Sequence, residues 1–151
     1  MRKKKKIRID STEYDKMREK FGFNTLTHHK QGRFSRSKWR YPLFIRKTDT
    51  MVETIYNWSV SYPDVLFIGR NTDIGAYTYI QAQYGVIIGK NVQIGAHCAI
   101  YSHDSERRLC GEVLIEDDVL IGAHCIIFPK TIIRKGTKIR AKSILDGGEY
   151  K

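Results

Sequence analysis

From Ile115 to Leu145 a large aliphatic residue falls on every sixth position: Ile115, Ile121, Ile127, Ile133, Ile139 and Leu145. The same frame runs at Ile68, Ile74 and Ile80, and again at Ile88, Ile94 and Ile100. Two extra residues separate the first register from the second. Three extra residues, inside 101–114, separate the second from the third. An amphipathic helix repeats at about 3.6 and an ordinary strand at about 2, so a period of six fits neither. It fits a coil with three flat faces, one hexapeptide per face, in which a large aliphatic fills the middle.

The other positions of the frame agree. Four residues after the aliphatic, side chains are small or β-branched: Thr72, Thr78, Val92, Cys98, Val119, Cys125, Thr131, Thr137 and Ser143. The position directly after the aliphatic is often glycine, as at Gly69, Gly75, Gly89, Gly95 and Gly122. The third holds Asn71, Asn91, Asp118, His97, His103, His124 and Gly136, residue types that tolerate the positive φ of a tight corner. Three hexapeptides close one coil, so the repeats supply four to five coils, stacked at about 4.8 Å as neighbouring strands are. So short a stack has open ends that need caps or partners, and oligomerisation is expected.

The 151 residues are expected to form one domain with an appendage: 1–64 a basic N-terminal segment and end cap, 65–151 the β-helix. The net charge of +11 is uneven. Residues 1–40 hold 14 Lys/Arg against 4 Asp/Glu, whereas residues 41–151 hold 13 against 12. Lys3–Lys6 is a like-charge run, and Ser11–Lys20 reads as a short helix capped by Ser11 and ended near Gly22. Residues 42–64 are apolar without the frame and are expected to cover the N-terminal end of the prism. A weak contact between the basic segment and an anionic surface is the other reading. No nucleic-acid motif accompanies the charge, so nucleic acid is not expected as a partner. No run of 18 apolar residues and no signal peptide are present, and a cytoplasmic enzyme is expected. Cys98, Cys110 and Cys125 form no C-x-x-C motif. Cys98 and Cys125 read as small core residues and Cys110 as a surface-loop thiol.

The repeats, with the segment Ile94-Gly-Ala-His-Cys-Ala-Ile-Tyr-Ser-His103-Asp-Ser-Glu-Arg-Arg108, resemble the left-handed β-helix acyltransferases of the hexapeptide-repeat superfamily. Ile115-Glu-Asp-Asp-Val-Leu-Ile-Gly-Ala-His124 and Ile127-Phe-Pro129 extend the likeness, which is nearest to the maltose and galactoside O-acetyltransferases and covers about the last 85 residues. The resemblance implies an all-β, left-handed parallel β-helix, a homotrimer with active sites between neighbouring prisms, and acetyl-CoA lying along the C-terminal coils. It also implies a general-base histidine in a loop with a downstream arginine, the place filled by His103 with Arg107 or Arg108. Asp104 stands where the family has Pro, and Leu120 where it often has Trp. The usual C-terminal extension is reduced to Asp146–Lys151.

Transfer of an acyl group from a thioester requires the acceptor to lose a proton as it attacks, and an imidazole with a pKa near 6.5 suits that role. No nucleophilic Ser or Cys is required. Charge developing on the thioester oxygen would meet a backbone N–H, with Gly122 or Ala123 as candidates. His97 and His124 also occupy the corner position, where tolerance of positive φ is explanation enough. If the break after Ile100 is a bulge that leaves Ile100 and Ile121 on one face, His103 and His124 become neighbours. His28 and His29 read as surface residues. Gln81, Gln83 and Tyr84 disrupt the coil where the family binds acceptor, and are candidate sugar ligands with Tyr101, Asp104 and Arg107. Gly122, Ala123, His124, Arg140, Ala141 and Lys142 are candidate contacts of the coenzyme, whose phosphates favour the basic last coils.

The function this supports is acetyl-CoA-dependent acetylation of a sugar hydroxyl. N-acetylation of a nucleotide-linked aminosugar is the alternative. A carbonic-anhydrase-like metal protein fits less well, because His97 and His103 are six apart where that family's pair is five apart, and no third His completes a set. A purely structural β-helix gains nothing from the break at His103. No metal is expected.

Overall fold

The computed structural model describes residues 6–7, 42, 44–46 and 51–151. The helix expected at Ser11–Lys20 and the residues His28 and His29 lie outside these. Residues 59–150 form a parallel β-solenoid with three faces. On the first face Ser59–Ser61, Tyr79–Gln81, Ala99–Tyr101, Ile126–Ile127 and Ile144–Leu145 lie side by side. The second carries Leu66–Ile68, Val86–Ile88, Val113–Ile115, Thr131–Ile133 and Gly148–Tyr150. The third carries Asp73–Ile74, Gln93–Ile94, Leu120–Ile121 and Lys138–Ile139.

The repeat aliphatics are the core. Ile80, Ile100, Ile127 and Leu145 form one column, Ile68, Ile88, Ile115 and Ile133 a second, and Ile74, Ile94, Ile121 and Ile139 a third, all buried. Burying such side chains contributes roughly 1.5–3 kcal/mol each relative to exposure. Between columns the small residues fit the corners, and the buried Cys98 and Cys125 donate weakly to the carbonyls of Gly122 and Arg140. Burial pushes the Cys98 thiol's pKa up. Cys110 is exposed.

Asn71, Asn91, Asp118, His97, His124 and Gly136 all take positive φ, as their corner positions require. Tyr77, Lys130 and Lys142 do so as well, although their residue types gave no signal. His103 does not turn a corner; it lies in the strand His103–Asp104. The repeat glycines Gly69, Gly75, Gly95 and Gly122 are there for another reason. None has positive φ, and a Cβ on any of them would come within 3.0 Å of backbone atoms one coil on.

Each end of the repeat carries further strands. Phe44–Arg46, Met51–Thr54 and Ser59–Ser61 form an antiparallel meander that extends the first face, and Lys6–Ile7 pairs with its outer strand. Trp58, in register with the small Thr78 one coil on, is buried in the core. At the other end Gly148–Tyr150 adds a strand to the second face, and Tyr150 packs against the core. That last strand was not legible in the repeat. No helix among the described residues is long and apolar enough to cross a membrane.

Candidate functional site

Both breaks in the repeat fall on one corner, between the first and second faces, in successive coils. The first is the turn Gln81–Gly85, which adds two residues to the ordinary step between Ile80 and Ile88. The second is larger than a bulge. Ile100 pairs with Ile127 on the first face and Ile115 with Ile133 on the second, so fifteen positions replace the ordinary six. The nine surplus residues form a hairpin in which His103 faces Cys110 and Asp104 faces Leu109. This register overturns the expected pairing of His103 with His124. Ile121 stacks on Ile94, and His124 therefore stacks on His97, with ring centroids 4.9 Å apart and planes within 4°. Tyr77 continues that exposed stack at 5.1 Å from His97.

The turn and the hairpin meet at His103. The Tyr84 ring lies 5.6 Å from the imidazole, tilted by 57°. Gln81 is half-buried, and its Nε2 donates to Gln83 Oε1 at 3.2 Å. Gln83 and Tyr84 are exposed, so their polar ends are available to a ligand. Tyr101 lies between Tyr79 and Phe128, with centroids at 6.2 and 6.1 Å, and these rings form an aromatic floor on the outside of the first face. Tyr79 is itself anchored by its hydroxyl to Ser61 Oγ at 2.7 Å.

Arg107 braces the hairpin. Its Nε donates to Asp104 Oδ2, its Nη1 pairs with Asp146 at 2.7 Å, and its guanidinium sits 4.7 Å over the Phe128 ring. The hydrogen bond from Arg107 is the main reason the Asp104 carboxyl is held below the usual carboxylate range. The two residues thus spend their charges on each other and on Asp146. Because Asp104's folded pKa is depressed, the brace is complete above the ordinary carboxylate range and is lost as pH falls through Asp104's own lowered value. At neutral pH, Arg107→Leu is expected to speed proteolytic cleavage within 104–110 while hardly moving the Tm, since the guanidinium stands at the surface, where ion pairs contribute little. Unchanged cleavage would show that the brace does not hold the hairpin.

The second group of candidates is elsewhere. Gly122, Ala123 and His124 pair with Arg140, Ala141 and Lys142 on the corner between the third and first faces. The exposed Arg140 and Lys142, with Lys138 nearby, make that edge of the last coil cationic, as a phosphate-bearing ligand requires. The Gly122 N–H is spent on the carbonyl of Ile139 at 2.9 Å, which removes it as an oxyanion donor and leaves Ala123. Arg134 is committed to Glu116 and Glu149, which hold its guanidinium firmly protonated. Within one chain the full width of the first face separates this edge from His103. Among the described residues no group of three or more His, Cys, Asp or Glu gathers as a metal site would.

Three residues at this corner were not site candidates from the sequence: Ser102, which precedes His103, and Phe128 and Asp146, which contact Arg107 of the hairpin. A serine in the buried column that holds Ala82 one coil earlier was visible in the sequence as a polar residue out of place. Phe128 and Asp146 reach the site only by the stacking of later coils.

A family model described as the hexapeptide repeat of succinyl-transferase matches residues 65–102 and 112–150, about half of the chain, and its gap coincides with the hairpin. Among solved structures, the chain is similar to a hexapeptide-repeat-containing acetyltransferase from Vibrio cholerae O1 biovar eltor, crystallised in complex with acetyl-coenzyme A. The identity is 24%, the TM-score 0.51, and the match covers 58% of this chain and 55% of that one. The chain thus spans about half the length of that protein. No curated protein sequence matches it.

Proposed function

The chain belongs to the hexapeptide-repeat family, and from that premise we propose that it is an acetyl-CoA-dependent acetyltransferase acting on a hydroxyl of a sugar or polysaccharide building block. The observation that carries this reading is the convergence of both repeat breaks on one corner, where Gln81, Gln83 and Tyr84 meet His103. His103 takes the acceptor's proton as the oxygen attacks the thioester carbonyl. The carbon–sulfur bond then breaks, and the departing thiolate takes a proton from the imidazolium. A sugar lies on the rings of Tyr84 and Tyr101 and hydrogen-bonds to the glutamines; Asp104 and Arg107 hold the hairpin that carries the base. The cationic edge of Arg140 and Lys142 suits the phosphates of the coenzyme, and the Ala123 N–H faces the thioester oxygen.

The distance between the two corners within one chain supports a homotrimer in which the coenzyme edge of one copy meets the His103 corner of the next. The acetyl-CoA complex of the Vibrio cholerae protein supports the choice of donor. Free-thiol release from acetyl-CoA, measured with maltose, methyl galactoside, glucosamine and a UDP-linked aminosugar, tests the proposal. Release well above the acceptor-free rate is expected with the neutral sugars. Release with the amines alone would move the activity to N-acetylation, and none with any of the four would sink the reading.

A further inference from the structure

We infer that Ser102 is the positioning residue of the His103 site, an inference that rests on the acyl-transfer reading above. Ser102 is 0% exposed, yet every polar group it has is engaged. Its N–H donates to the Gln81 carbonyl at 2.9 Å, and its own carbonyl accepts from Gly111 N–H at 2.9 Å. Its hydroxyl accepts from Tyr84 N–H at 3.0 Å and donates toward the Gln81 carbonyl at 2.8 Å and Gln81 Oε1 at 2.9 Å. One residue therefore ties together the turn that presents Gln81, Gln83 and Tyr84, the outgoing strand of the hairpin at His103, and its returning strand at Gly111.

The chemistry of the position points the same way. One coil earlier the equivalent place is filled by Ala82, also buried, so packing alone is satisfied by a methyl group. A buried hydroxyl is costly unless hydrogen-bonded, and here its bonds run to the two segments whose relative position sets the distance from base to acceptor. Ser102 touches neither substrate. It acts by fixing where the imidazole stands relative to the Tyr84 ring.

The test is Ser102→Ala in the full chain, assayed by thiol release from acetyl-CoA with whichever of the four acceptors turns over fastest. Loss of positioning at a reacting centre is expected to lower kcat by about 10- to 100-fold. KM for acetyl-CoA should stay within about twofold, because the coenzyme candidates lie on another corner. Ser102→Thr, which restores a hydroxyl, should recover most of the rate. Far-UV circular dichroism establishes that the variant is folded at the assay temperature. Should it not be, Ser102→Cys, close in volume but a weak hydrogen-bonding partner, carries the same expectation.

If the wild-type chain turns over none of the acceptors, the acyl-transfer reading fails, and the inference is then decided by NMR. The nuclear Overhauser contact between the Tyr84 and His103 rings should be present in the wild type, lost in Ser102→Ala and kept in Ser102→Thr. A kcat for Ser102→Ala within about twofold of wild type, a ring contact that survives the substitution, or a Thr variant as impaired as Ala would each overturn it.

Discussion

His103→Ala is expected to lower kcat by the roughly 10²–10⁴-fold typical of losing a general base, with the KM for acetyl-CoA little changed. The imidazole is half-buried against Tyr84 at the root of the hairpin, and it packs into neither the aliphatic columns nor the ion pairs of Arg107. Its removal should therefore leave folding almost untouched, so that a lost rate reports chemistry. A near-wild-type rate would end the assignment. The same variant tests whether the site is shared between copies. Mixed under refolding conditions with an Arg140→Glu, Lys142→Glu variant, it should regain activity. A hybrid assembly brings the intact coenzyme edge of the His103→Ala chain to the intact His103 of the other. Two inactive chains that stay inactive when mixed would argue that each copy carries a complete site.

What could be read beforehand divides along physical lines. The core was legible because a column of buried aliphatics needs one large apolar residue per face, and only a six-residue step delivers it. The register across the hairpin was not legible. A period read modulo six cannot distinguish three extra residues from nine, so Ile100 and Ile121 looked like partners when Ile100 pairs with Ile127. From that slip followed the pairing of His103 with His124, which the structure replaces with His97 on His124. Gln81, Gln83 and Tyr84 stood out as candidates because they break the frame, and His103 because the frame is lost just after it. The parts of Ser102, Phe128 and Asp146 depend on which coil lies above which. The Gly122 N–H failed as an oxyanion donor for the same reason, since the ladder to Ile139 had already claimed it.

The glycines show the difference between a residue type and its reason, and they carry the largest expected effect on stability. Gly95→Val should cost at least about 4 kcal/mol, at the extreme of single substitutions. A Cβ at Gly95 would come within 3.0 Å of the N and Cα of Ala123 and of the Gly122 carbonyl carbon. None of these belongs to a side chain that can swing away. The coils cannot part locally either, because the Gly95 N–H is bonded to the Ile121 carbonyl at 2.8 Å, and His124 N–H to the Ala96 carbonyl at 3.0 Å. Relief of the clash breaks ladder bonds and lifts Ile94 and Ile121 out of register together. Gly136 is the opposite case. Its φ is +74°, but a Cβ there would meet nothing within 4 Å. Gly136→Asn should therefore cost no more than about 1 kcal/mol, the ordinary penalty of a left-handed conformation, which asparagine tolerates better than most. Urea unfolding of both variants separates the two reasons for glycine. If Gly136→Asn proved the more damaging, backbone conformation and not the close approach of coils would govern this fold.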